Sequence, residues 1–307
     1  MTNRVASFYK YVEIEDPLKL RNEQFGLCKS LNLKGRILIG KEGINGSVYG
    51  KSGNIEEYKQ KLISDALFSE MEFKEQESKK KAFSRLYVSV RKEIVHFGSE
   101  VDLRNTAQFV EPKQLKEWLD KNENIILVDM RNDYESKIGK FRNAVTLNIR
   151  NFRDFPDAIQ AMDWLKDKKI VAYCTGGIRC EKASAFLKEN GFNDVWQLKG
   201  GILNFGKEFP DTYWEGKCFV FDDRIAIDLN KKNSDVLDGC DFCNKKAGNY
   251  INCHNLDCDR LFSCCGECLL KWNASCSEGC SKAPNRRKKN IILNQSPSSN
   301  FLSLVTT

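Results

Sequence analysis

Apolar and polar positions alternate with a short period at the start of the chain and with a longer one after it. VASFYKY (Val5 to Tyr11) predicts a strand, and Asp16 followed by Pro17 opens a helix running to about Leu31. GRILIG (Gly35 to Gly40) predicts a second strand. KEGINGSVYG then carries glycines at 43, 46 and 50, which read as a hairpin-like turn. Ser52 or Asn54 is expected to cap a helix through about Leu67, and MEFKEQE alternates like a further strand. RLYVSVRKEIVHFG (Arg85 to Gly98) reads as extended structure and a linker.

From about Phe109 the pattern changes. Glu111 to Lys121 is amphipathic, IILVDM (Ile125 to Met130) and AVTLNI (Ala144 to Ile149) are apolar strands, and DAIQAMDWL predicts a helix. IVAYC (Ile170 to Cys174) is a third buried strand, Glu181 to Asn190 a helix ended by Gly191, and VWQLKGG (Val195 to Gly201) a fourth strand. The first half has the order β-α-β-β-α-β of a ferredoxin-like α+β domain, expected over residues 1–98. The second, expected over 109–216, is an α/β domain whose parallel sheet is covered on both faces. In such sheets ligands bind beyond the carboxyl ends of the strands. Cys174 is at one of those ends.

That strand leads into YCTGGIRCEKA (Tyr173 to Ala183). A thiol here faces the loop's backbone N–H groups and the positive end of the following helix, with the Arg179 cation close by, so the thiolate is favoured. Gly176 and Gly177 let the N–H groups curl inward; Thr175 and Ile178 complete the cradle for a substrate. Cys180 either resolves an oxidised Cys174 as a disulfide or is a buried helix residue, and the spacing leaves both open. Cys174 to Arg179 spans six residues, one fewer than in the loop of cysteine-dependent phosphatases, and suits a single sulfur atom. The loop, with VDMRNDYE, GKFRNAVTLNI and VWQLKGGI, resembles rhodanese-like domains, whose loop carries a cysteine persulfide.

Composition narrows the setting. The chain has 307 residues, 41% of them apolar, enough for two or three cores, and no run of 18 apolar residues or leader-like segment suggests a membrane span or export. A cytoplasmic location is expected. Thirteen cysteines in a reducing compartment indicate metal or thiol chemistry. Nine of them lie between Cys240 and Cys280 and form four pairs with Cys264 left over: Cys240/Cys243, Cys253/Cys258, Cys265/Cys268 and Cys276/Cys280. Two pairs make a tetrahedral site, so the segment 238–281 is expected to hold structural zinc, with the pairing open. An iron–sulfur cluster is the lesser reading, and His254 could replace one cysteine.

The formal charge is +7, of which residues 282–307 supply five cations and no acid, as a basic, disordered tail. SKKKAFSR (Ser78 to Arg85) sets basic residues beside Phe83. Lys79 to Lys81, Arg85, Arg150 and Arg153 are candidate phosphate contacts, Lys80 and Arg85 foremost, with Phe83 or Phe152 to stack on bases. The alternative for these stretches is a solvated surface.

The N-terminal module, the CTGGIRCEKA loop and the C-x2-C…NCxNxxC…CCxxC…CSxxC tail together resemble the tRNA uridine hydroxylase family nearly end to end. The resemblance implies formation of 5-hydroxyuridine at the wobble position, in the tRNA anticodon loop, with O2 as co-substrate. It also implies Cys174 as the reactive cysteine and Cys180 as helper. No flavin, haem or dinucleotide motif is present, and only His96 and His254 could ligate iron. A thiol route, Cys174 adding to C6 of uracil, is the expected chemistry. The alternative function is a sulfurtransferase carrying a Cys174 persulfide to a small or protein acceptor.

Overall fold

A computed structural model describes residues 2–232, 237 and 239–287, with the backbone of a short strand pair at Ile291–Ile292 and Ser303–Leu304. Most of the basic tail, Lys288 and Lys289 included, lies outside the described residues. No helix among those described is long and apolar enough to cross a membrane.

The N-terminal half contains β1 (Asn3–Tyr11), α1 (Pro17–Ser30), β2 (Lys34–Gly40), β3 (Gly43–Lys51), α2 (Ser52–Ile63), β4 (Phe73–Glu77) and β5 (Leu86–Val90). Their sheet has the order β4-β1-β3-β2-β5; β1 is antiparallel to β3 and β4, β2 antiparallel to β3, and β5 runs parallel to β2. The ferredoxin-like order therefore holds, with β5 added at one edge. Asp16 caps α1 by accepting from the Leu18 and Lys19 N–H groups, as expected.

The glycine-rich stretch differs from expectation. Gly43, Gly46 and Gly50 lie inside β3 rather than in a turn, which is confined to Lys41 and Glu42. A Cβ at Gly46 would stand 2.8 Å from the Phe8 ring, and one at Gly50 would stand 2.5 Å from Leu33. These glycines make room for neighbouring core side chains. Neither Ser52 nor Asn54 caps α2: Ser52 Oγ donates to the Thr2 carbonyl and Asn54 Nδ2 to the Leu31 carbonyl, and the helix stops at Ile63. Both side chains are engaged by other elements.

The second half contains β6 (Gln108–Val110), α3 (Pro112–Asp120), β7 (Ile125–Asp129), α4 (Asp133–Ile138), β8 (Gly139–Phe141), β9 (Val145–Thr146), α5 (Phe155–Ala158), β10 (Lys169–Tyr173), α6 (Ile178–Glu189), β11 (Asp194–Leu198) and α7 (Gly201–Glu208). Its sheet, β6-β11-β10-β7-β9, is parallel throughout. Along β10, Ile170 and Ala172 face one core and Val171 and Tyr173 the other, so both faces are covered. AVTLNI shrinks to the two residues of β9, with Leu147 and Ile149 packing into the core from irregular backbone. DAIQAMDWL is mostly 3-10 helix, Ile159–Leu165.

The cysteine-rich end is a small separate core around Ile251, Phe262 and Leu269. Two residues counted with the basic tail fold onto it: Arg286 donates to the Asn273 and Cys280 carbonyls, and Arg287 pairs with Asp259.

Candidate active site and metal centres

Cys174 follows the last residue of β10, between β7 and β11. Gly177 adopts φ 101°, which a side chain would resist, and its N–H donates to Cys174 Sγ at 3.1 Å. The loop's carbonyls are drawn the other way. Ile202 N–H donates to the Cys174 carbonyl and Leu203 N–H to that of Thr175, both at the start of α7. Gly201 makes this approach achievable: a Cβ there would lie 2.3 Å from the Cys174 carbonyl oxygen. The LKGGI stretch thus acts on the active loop by turning its acceptors away from the sulfur and leaving its donors inward.

Burial pushes the Cys174 thiol up, but a hydrogen bond from the Cys180 thiol, the Arg179 charge and the N–H groups of Arg179 and Gly177 outweigh it, bringing the group down to about 5. Cys180 shows the opposite. Burial and the neighbouring Cys174 raise it well above the usual thiol range, so it stays protonated and donates. Arg179 is fixed by a bidentate pair with Glu135 on α4, at 2.5 and 2.8 Å, with both side chains buried. Arg131, fully buried behind it, pairs with Asp129 at 2.6 Å and donates to the Gly139 carbonyl. Tyr173 Oη donates to the same Asp129.

Above the loop lies a cavity of about 750 Å³. Cys174, Thr175, Gly176, Ile178 and Arg179 line its floor, and the sheet face of the N-terminal domain forms its roof through Ser7, Tyr9, Asn45 and Lys74. The two domains are joined at the loop itself. Tyr11 Oη donates to the Ile178 carbonyl, Tyr9 Oη donates to Glu181, and Lys182, 3% exposed, is held between Glu42 and Glu93 at 2.9 and 2.8 Å. Thr175 Oγ1 is buried without a hydrogen-bond partner.

The sequence-based candidates divide. Cys174, Arg179, Cys180, Thr175, Gly176, Gly177 and Ile178 converge on this floor, and Phe83, Phe152 and Arg153 reach the cavity wall. Lys80 and Arg85 do not line it: both are exposed in the loop leading to β5, where the Arg85 carbonyl accepts from Gly35. Arg150 lies outside too, 3.8 Å from Asp133. Besides Arg179, the cations that line the cavity are Arg36, Lys74, Arg91, Lys92, Arg224 and, from among the candidates, Arg153. Sequence reasoning passed over Glu135, although it stands in the quoted VDMRNDYE, and over the whole roof.

The eight paired cysteines form two sets, Cys240 with Cys243, Cys265 and Cys268, and Cys253 with Cys258, Cys276 and Cys280. First pairs with third and second with fourth, so the two sites interlock. Within each set the sulfurs lie within 4.8 Å of one another, with Sγ–Sγ separations of 3.6 to 3.8 Å where they touch. Zn–S bonds of about 2.3 Å in a tetrahedron require about 3.8 Å, so the donor sets fit zinc. Cys264 and His254 are buried outside both sets.

Three family descriptions match in chain order: a UPF0176 acylphosphatase-like domain over residues 3–94, a rhodanese-like domain over 111–208, and a rhodanese C-terminal region over 215–281. A tRNA uridine(34) hydroxylase from Cytophaga hutchinsonii is 42% identical over 286 residues, covering 92% of this chain and 91% of that protein. One of the same name from Staphylococcus aureus strain MRSA252 is 41% identical over 294 residues, covering 94% and 92%. The crystal structure of a rhodanese-like domain protein from S. aureus matches at 26% identity with a TM-score of 0.28, covering 32% of this chain and 90% of that one. Near-complete coverage at this identity settles the relationship: the chain belongs to the tRNA uridine(34) hydroxylase family.

Proposed function

We propose that this protein hydroxylates C5 of the wobble uridine of tRNA, position 34, giving 5-hydroxyuridine, with O2 as co-substrate: one oxygen atom enters the base and the other leaves as water at the expense of a two-electron donor. Carrying the reading is the placement of a Cys174 thiolate at the floor of a cavity large enough for a nucleotide and rimmed by cations. A base in an anticodon loop is already unpaired, so its extrusion into such a pocket costs little. Cys174 attacks C6 of the ring and activates C5. Gly177 and Arg179 N–H groups, the Arg179 charge and the Cys180 thiol hold the sulfur ionised. Phe83 and Phe152 offer apolar walls, and Arg36, Arg91 and Arg153 contact RNA phosphates. The paired cysteines hold two structural zinc ions, which supply stability to the C-terminal module and take no part in the reaction. The setting is the cytoplasm, where tRNA is at hand and thiols stay reduced.

Mass spectrometry of tRNA nucleosides from a deletion strain, complemented with wild type or Cys174→Ala, tests this. Wild type restores 5-hydroxyuridine and the variant does not. Persistence of the nucleoside without the gene, or restoration by Cys174→Ala, removes the reading. Rapid thiosulfate-to-cyanide transfer with unchanged tRNA would favour the sulfurtransferase instead.

A further inference from the structure

Lys74, Lys92 and Arg224 line the cavity without a part in holding the sulfur or contacting phosphate, and of the three only Lys74 is buried. Lys74 projects from β4 on the roof and is only 7% exposed, yet it lines the same cavity as Cys174. The other buried cations around the site are committed: Arg179 to Glu135, Arg131 to Asp129, and Lys182 to Glu42 and Glu93. Lys74 makes no ion pair with a carboxylate of the described residues. Its Nζ lies 4.6 Å from the centre of the Tyr9 ring, and that ring is anchored by its hydroxyl on Glu181. An ammonium buried without a paired counter-ion is destabilising, and ionisable groups kept at such a cost cluster at functional sites. Burial lowers its tendency to hold a proton below that of an ordinary lysine, an effect that Glu72, Cys174 and Glu181 offset only in part; the ammonium and Cys174 line one cavity.

We propose that Lys74 is a catalytic residue that binds O4 of the target uracil and stabilises the negative charge formed there when Cys174 attacks C6. The assignment rests on the hydroxylase reading. In this step the Sγ–C6 bond forms, the C5=C6 π pair moves onto C5 and is delocalised through C4 onto O4, and Lys74 donates to the resulting enolate oxygen. No oxidant enters the step. The enolate makes C5 nucleophilic, and C5 is the carbon to be hydroxylated. In the absence of oxygen a solvent proton adds at C5, the original C5 proton then leaves as thiolate is expelled, and uridine is returned with its C5 hydrogen exchanged.

That exchange supplies the test. An anticodon stem-loop RNA containing uridine 34 is incubated anaerobically in D2O with wild type, Cys174→Ala, Lys74→Met or Lys74→Gln, and deuterium at C5 is read by mass spectrometry. Wild type exchanges and Cys174→Ala does not. Lys74→Met lowers the exchange kcat by about 100-fold, with KM within about threefold, as for loss of one oxyanion donor. Its melting temperature stays equal or rises, because an apolar side chain replaces a buried charge; a purely structural lysine would lose stability and activity together. Absence of exchange in wild type overturns the proposal, as does a rate within about threefold of wild type in whichever of the two Lys74 variants folds. If wild type restores 5-hydroxyuridine in cells under either result, the hydroxylase reading stands and only the Lys74 assignment falls.

Discussion

Cys180→Ala perturbs the active sulfur while leaving no charge exposed or unpaired. In the native loop the Cys180 thiol donates to the Cys174 thiolate, and it leads the contributions that bring Cys174 down to about 5. Hydrogen bonds to a charged group contribute about 1.5–3 kcal/mol, and one pKa unit corresponds to about 1.4 kcal/mol, so losing the donor should raise Cys174 by roughly one to two units. Alanine differs from cysteine by a single buried sulfur atom, so the packing loss is small; the Glu135–Arg179 pair and the Gly177 N–H remain. The assay is iodoacetamide modification of Cys174 against pH, followed on the peptide that contains it. Only the thiolate reacts, so the rate is low below the midpoint and reaches its plateau above it. Wild type gives a midpoint near 5, and Cys180→Ala gives one between about 6 and 7. A wild-type midpoint in the ordinary thiol range, about 8.5, would refute the account of the loop. An unshifted midpoint in Cys180→Ala would refute the role given to Cys180.

Glu135→Gln leaves Arg179 buried with half its partner, which should cost about 3–5 kcal/mol, read as a lowered urea midpoint, and should displace the guanidinium from Cys174. Metal analysis should find two zinc ions per chain, with Cys243→Ala and Cys258→Ala each losing one, since they belong to different sets. Arg36→Ala with Arg91→Ala should weaken binding of an anticodon stem-loop and reduce the salt dependence of its affinity by about one to two units of slope, whereas Lys80→Ala, outside the cavity, should change neither.

Where one local signal governs an element, the chain announces it. The Asp16–Pro17 start of α1, the apolar β7 and β10, and the alternation of β1 each follow from neighbours in sequence, and the structure has them. The active loop is legible for the same reason: Cys174, Gly177 and Arg179 act on one another within a single turn. The glycines of β3 read as a turn because their cause is remote. Gly46 answers to Phe8 across the sheet and Gly50 to Leu33, and no count along KEGINGSVYG contains that information. The pairing of cysteines is remote in the same way: each spacing gives half a site, and the interlocking of halves is decided by the small core beneath them.

The roof of the cavity shows the limit most plainly. In MEFKEQE, alternation sends Phe73 to the core of the N-terminal domain and Lys74 to the opposite face, which for an isolated sheet means water. Here that face is covered by a second domain, so a residue whose pattern says solvent is 7% exposed and beside the reactive thiol. Docking depends on Tyr9 and Tyr11 meeting the loop, and on Lys182 meeting Glu42 and Glu93, contacts between residues at least 89 positions apart. Domain-level resemblance locates the sulfur within one module; the enzyme's pocket exists only between two. Lys182→Met should therefore slow the C5 exchange of the stem-loop RNA while the circular dichroism of the protein stays that of wild type, because the ammonium and the thiolate keep their own scaffolds and lose one of the contacts that align their common cavity.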